Sequence, residues 1–280
     1  MIVDIFITKK RFAAIAVKEE RVEEMFLETV NKMGDSAVNK AKYLKKSIIK
    51  YVILSIMAGI YVGFGIMLIF SIGAPFAAAG SPATKAIMGA SFGVALTLVI
   101  FAGAELFTGN NMVMTIGNLT KRVTLGDTAK VWAFSYIGNL LGALFLAYLV
   151  AKSGLISNGP QSEFILKVAD GKMNAPFLQL FIRGILCNML VCLAIWTATR
   201  AKEDMAKLIL IWWCLFAFIG AGFEHSIANM SLLGMALFIP HDPSMISIAG
   251  YAKNLLASTA GNIVGGALFI GAMYWYVSKE

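Results

Sequence analysis

Apolar positions run in six long blocks, at about 51–71, 86–118, 131–151, 177–199, 208–238 and 254–277. Blocks of this length predict six membrane crossings. Two of them carry polar interruptions, near 106–110 and 223–229, where a carboxylate and an amide stand inside otherwise apolar chain. A charge inside a membrane costs roughly 2.5–3.5 kcal/mol on insertion scales. Two such interruptions therefore predict two broken helices that face a protein-lined cavity rather than lipid. Ahead of the first block, residues 19–48 place Val22, Met25, Phe26, Val30, Met33, Ala37, Ala41 and Leu44 at helical spacing among charges. This stripe predicts an amphipathic helix at the inner membrane face, with Gly34 as its weak point. Residues 153–175, with Gly154, Asn158, Gly159, Pro160, Asp170 and Gly171, read as an ordered outer loop.

The two interruptions are one motif written twice. Gly103-Ala-Glu105-Leu-Phe-Thr108-Gly-Asn110 and Gly222-Phe-Glu224-His225-Ser-Ile-Ala-Asn229 share G-x-E-x4-N, and each is followed by G-N-x-x-G, at 138–142 and 261–265. The chain is an internal duplication, with repeats at about 49–152 and 174–277 inside one six-span domain, 49–280, that follows a cytoplasmic segment, 1–48. Each repeat has three crossings, an odd number, so the halves are inverted. The broken helices then approach the centre from opposite faces and bring Thr108 near His225. Gly103, Gly109, Gly220 and Gly222 supply freedom to leave and re-enter the helix. Half-helix N-termini, each equivalent to about +0.5 charge, favour an anion in the cavity.

Composition agrees with a membrane protein, with 59% hydrophobic and 14% charged residues. The net charge of +8 does not point to nucleic acid, because it follows the predicted topology. Eleven Lys/Arg lie in residues 1–50, three each in 119–130 and 200–207, and Lys279 in the tail, whereas the opposite side holds six. The positive-inside rule then places both termini in the cytoplasm, across an inner membrane. Residues 12–17 are too short an apolar run for a cleavable signal. Cys187, Cys192 and Cys214 lie in apolar blocks without ligand or disulfide spacing, so no metal or cofactor is expected. An enzyme using Glu224 and His225 as an acid/base pair lacks a partner group, and there is no nucleotide loop. A water or glycerol channel is disfavoured because the breaks carry Glu and Asn without proline.

The segments GAELFTGN at 103–110, RGILCNMLVCLAIW at 183–196 and GFEHSIANM at 222–230 resemble the signature segments of the formate/nitrite transporter family. The likeness covers about residues 25–277, and TGNN at 108–111 with the Lys172 region is most similar to the hydrosulfide channel branch. The resemblance implies an aquaporin-like all-α protomer in a homopentamer within membrane lipid, with an anion pore through each protomer. It implies hydrosulfide, formate, nitrite or chloride as cargo. It implies a pore centre at His225, Thr108, Asn188 and Asn229, and a cytoplasmic constriction at Phe92, Leu96 and Phe218. An outer constriction falls at Leu106, Phe107 and Val191, and a vestibule cation at Lys172. Glu105 and Glu224 are expected to accept the free N–H groups of the broken helices. A proton-coupled symporter fits the same residues.

Overall fold

The computed structural model describes residues 26–279, all helix and connections, with no strand among them. Ten helical elements follow one another: α1 (26–46), α2 (Ile48–Ala78), α3 (Thr84–Gly103), α4 (Phe107–Leu119), α5 (Leu125–Lys152), α6 (Gly159–Asn174), α7 (Phe177–Arg200), α8 (Asp204–Ala221), α9 (Ser226–Phe238) and α10 (Ile248–Val277). Six of these, α2, α3, α5, α7, α8 and α10, are long and apolar enough to cross a membrane. The fold is that of a multi-pass membrane protein, with α4 and α9 as the continuations of the two broken crossings.

Packing repeats between the halves. The first crossing of each half lies against the third, α2 on α5 and α7 on α10. Small residues set the spacing. A β-carbon at Gly142 would fall on the Ile56 carbonyl, and one at Gly265 on the Ile185 carbonyl, the equivalent turn of the other half. Close backbone approach at small residues is the main source of helix association where lipid removes the hydrophobic drive. The twice-written G-N-x-x-G is thus a helix-packing motif whose asparagine is carried to a defined place.

Each repeat also begins one helix earlier than its crossings. Residues 153–175 are largely a helix, α6, rather than a loop, with Pro160 in its first turn. It stands ahead of α7 as α1 stands ahead of α2. The α1 stripe packs on protein: Val30, Met33, Ala37, Ala41 and Leu44 are buried against Val113, Ile116 and Val123. Gly34 is no break. It makes room for Arg122, whose guanidinium pairs with Asp35 at 2.7 Å, and Lys45 meets Asp127 at 2.7 Å. Val22 and Met25 lie outside the described residues.

Candidate functional site

Both breaks are built alike. Gly103 and Gly222 turn the chain with φ of +83° and +77°, the left-handed region where a side chain is strained, and neither has a neighbour that a β-carbon would strike. Gly109 and Gly220, expected to share this task, remain helical. The freed backbone then borrows partners from the first crossing of its own half, Glu105 N–H donating to Leu54 O and Glu224 N–H to Arg183 O, each at 3.2 Å. The donor two residues further on goes to the packing motif. Phe107 N–H meets Asn139 Oδ1 and Ser226 N–H meets Asn262 Oδ1, both at 2.9 Å. The amide of Asn139 donates to Ser55 O and Glu105 O, and that of Asn262 to Gly184 O and Glu224 O. Each asparagine therefore satisfies the break on one side and ties it to a crossing on the other.

This corrects the role expected for the two glutamates. Their carboxylates are held by side chains. Glu105 accepts from Lys40 of α1 at 2.7 Å, Tyr51 at 2.9 Å and Asn110 at 3.1 Å. Glu224 accepts from Lys172 of α6 at 2.8 Å and from Asn229 at 2.6 Å, with Asn254 at 3.4 Å. The asparagine of G-x-E-x4-N is thus the carboxylate's own donor one turn into the half-helix. Lys40 and Lys172 are equivalent, each bringing a cation from the helix that opens its repeat. Lys172 is accordingly neutralised rather than free. Sequence gave no reason to choose Lys40 from the eleven cations of residues 1–50, because its partner is 65 residues away.

The half-helix N-termini meet at the centre, where Thr108 Oγ1 and His225 Nε2 lie 3.1 Å apart. His225 caps α9: Ala228 N–H donates to its Nδ1 at 3.1 Å. A backbone N–H can only donate, so Nδ1 is the unprotonated nitrogen, and the neutral ring carries its hydrogen on Nε2, pointing at the Thr108 hydroxyl. The ring also stacks on Phe218 at 5.8 Å, and Phe218 meets Phe92 edge-on at 5.6 Å. Asn229, buried, serves Glu224 and Asn254. Asn188 is also buried and braces the centre, donating to Thr108 O, Asn111 Oδ1 and Asn262 O.

Around His225 lies a chamber of about 10 Å³, walled by Val62, Phe92, Ala95, Leu96, Leu106, Val191, Leu215 and Phe218. That is the space of about one water molecule. Larger vestibules lie on both sides. One, of about 440 Å³, is bordered by α6 and the start of α3 and reaches Phe218 and His225. The other, of about 460 Å³, is bordered by α1 and reaches Leu106. Phe218 therefore closes the chamber toward α6, and Leu106 closes it toward α1. Phe218 and Leu106 are exchanged relative to expectation, which set Phe218 on the side of the N-terminal helix and Leu106 on the other, while Phe92, Leu96 and Val191 border the chamber and neither vestibule. The reason is length: α3 runs 20 residues, about 30 Å at 1.5 Å per residue, before its break, so Leu106 arrives near the α1 face. Phe107 leaves the lining altogether. It packs edge-on against Tyr136 at 5.0 Å and Trp132 at 6.4 Å. Val62, Ala95 and Leu215 were missed, since nothing distinguishes them from other apolar residues of their crossings.

Two inverted breaks, closing from opposite faces on a histidine chamber between open vestibules, define a membrane channel or transporter. The chain belongs to the formate/nitrite transporter family, whose model matches residues 27–276. It is 43% identical over 256 residues to the nitrite transporter NirC of Escherichia coli (strain K12), covering 91% of this chain and 94% of the relative. Among solved structures it is similar to an FNT family ion channel, with a TM-score of 0.84, 42% identity, and coverage of 89% and 98%. It is also similar to a pentameric formate channel with formate bound, with a TM-score of 0.65, 29% identity, and coverage of 83% and 98%. These relatives are transporters and channels, and the chain is a transport protein rather than an enzyme.

Proposed function

We propose that each protomer conducts small monovalent anions of weak acids, nitrite and formate foremost, passively through the chamber at His225. We infer a homopentamer in the cytoplasmic membrane, with both termini and α1 in the cytoplasm and α6 outside. The observation that carries this reading is the chamber of about 10 Å³ between vestibules of about 440 and 460 Å³. A cargo must shed its water to enter, and a bare ion in an apolar space costs many kcal/mol. Weak acids have a way round that cost, because their neutral forms cross an apolar slit far more readily. His225 Nε2–H and Thr108 supply the polar contact at the middle, and Leu106 and Phe218 are the gates.

The names of the similar proteins support nitrite and formate. Hydrosulfide, also small and singly charged, belongs to the same test. The experiment is uptake of nitrite, formate, hydrosulfide and chloride into proteoliposomes of purified protein, with and without an opposing pH gradient. Saturation-free uptake of the weak-acid anions with chloride excluded is expected. Uptake of all four at the rate of empty liposomes overturns the proposal, and accumulation against a nitrite gradient driven by protons replaces passive conduction with symport.

A further inference from the structure

The α6-side vestibule is far larger than the cargo its neighbouring chamber can admit. At about 440 Å³ it falls in the size range of pockets that bury drug-sized ligands. Its wall includes Phe70, Phe164, Phe218 and Phe223, with Phe70 and Phe164 ring to ring at 5.1 Å. The charged groups lining it are Lys85 and Lys172, and no acid lines it among the described residues. Lys172 is committed to Glu224 at 2.8 Å. Lys85, at the start of α3, is exposed and has no acidic partner among the described residues. The α1-side vestibule differs: its lining includes Glu105 beside Lys32 and Lys40. One face thus offers an aromatic wall with a spare cation, and the other does not.

We propose that the α6-side vestibule is a binding site for aromatic monoanions, whose rings lie against the phenylalanine wall while the anionic group meets Lys85, and that the bound molecule plugs the pore. Such a ligand enters the vestibule and cannot enter the chamber. Ring contacts and a single charge-assisted pair act together, so neither half of the ligand binds well alone. The block rests on the proposed pore; the binding does not.

The test uses 2-naphthalenesulfonate, a permanently charged probe that does not cross lipid, titrated calorimetrically against purified protein in nanodiscs. Methanesulfonate supplies the charge without the rings, and 2-naphthalenemethanol the rings without the charge. Saturable binding is expected, about tenfold weaker in Lys85→Gln and at least about tenfold weaker for each half-ligand. Because Lys85 is exposed, this variant keeps its fold, which a matching thermal melt checks. A Phe164→Ala variant with a normal size-exclusion profile is expected to lose affinity for the naphthalene probe and not for methanesulfonate. Binding no tighter than that of methanesulfonate, or unaltered by Lys85→Gln, overturns the site. In proteoliposomes the probe is expected to slow nitrite uptake from the α6 face alone. Binding without such a block overturns the plug, and absence of nitrite uptake without probe counts against the pore while the titration still decides the site.

Discussion

Replacing Lys172 with methionine tests the buried pair that holds the second break. The Glu224 side chain is 2% exposed and that of Lys172 20%, so Lys172→Met leaves a carboxylate out of water with only the amides of Asn229 and Asn254 near it. Removing one partner of a buried ion pair costs about 3–5 kcal/mol. For a chain of this size each kcal/mol moves a melting midpoint by about 2–4 °C, so a loss on the order of 10 °C is expected. The double variant Lys172→Met/Glu224→Gln removes the stranded charge and keeps a hydrogen-bonding group, and it should recover more than half of the loss. The corresponding variant at the first break, Lys40→Met, should cost less. Glu105 is 13% exposed and retains the Tyr51 hydroxyl at 2.9 Å, so about 1–3 kcal/mol is expected. The assay is a thermal melt followed by size exclusion in detergent, with wild type and the three variants purified alike. A Lys172→Met midpoint within 2 °C of wild type, or a double variant no better than the single one, refutes the reasoning. Charge reversal at Lys172 should damage stability whatever the salt, since screening over about 10 Å at 0.1 M acts on solvated charges.

Asn262→Ala strands the Ser226 N–H in a dry site and should cost about 1–3 kcal/mol, read by the same melt; a neutral result would remove Asn262 as the brace of the break. Leu106→Ala should enlarge the chamber and raise nitrite and formate uptake, whereas Phe107→Leu should lower the melting midpoint by about 1 kcal/mol equivalent and leave selectivity alone; the reverse pattern would place Phe107, not Leu106, in the lining. His225→Asn removes the Nε2–H donor facing Thr108 and should blur the preference for weak-acid anions over chloride in uptake measured at one fixed pH. Superimposable anion preferences for His225→Asn and wild type would leave the ring as a helix cap alone.

Sequence by itself determined the crossings, the duplication and the inversion. Continuous apolar blocks have one physical solution in lipid, and an odd number of crossings between two copies of a motif forces the copies to face opposite ways. It also located the breaks, because Gly103, Gly222 and the carboxylates beside them have no place in an uninterrupted apolar helix. Which partners satisfy those breaks was decided only by tertiary structure. Asn139 and Asn262 lie more than 30 residues from the N–H groups they accept, and Lys40 pairs with Glu105 across 65. Spacing along the chain carries no record of such contacts. The lining followed the same division: Leu106 and Phe107 are adjacent and equally buried, yet one closes the chamber and the other packs on Trp132 and Tyr136. Their directions are set by the extended turn at Leu106 and by the start of α4 at Phe107, a backbone geometry that hydropathy does not encode.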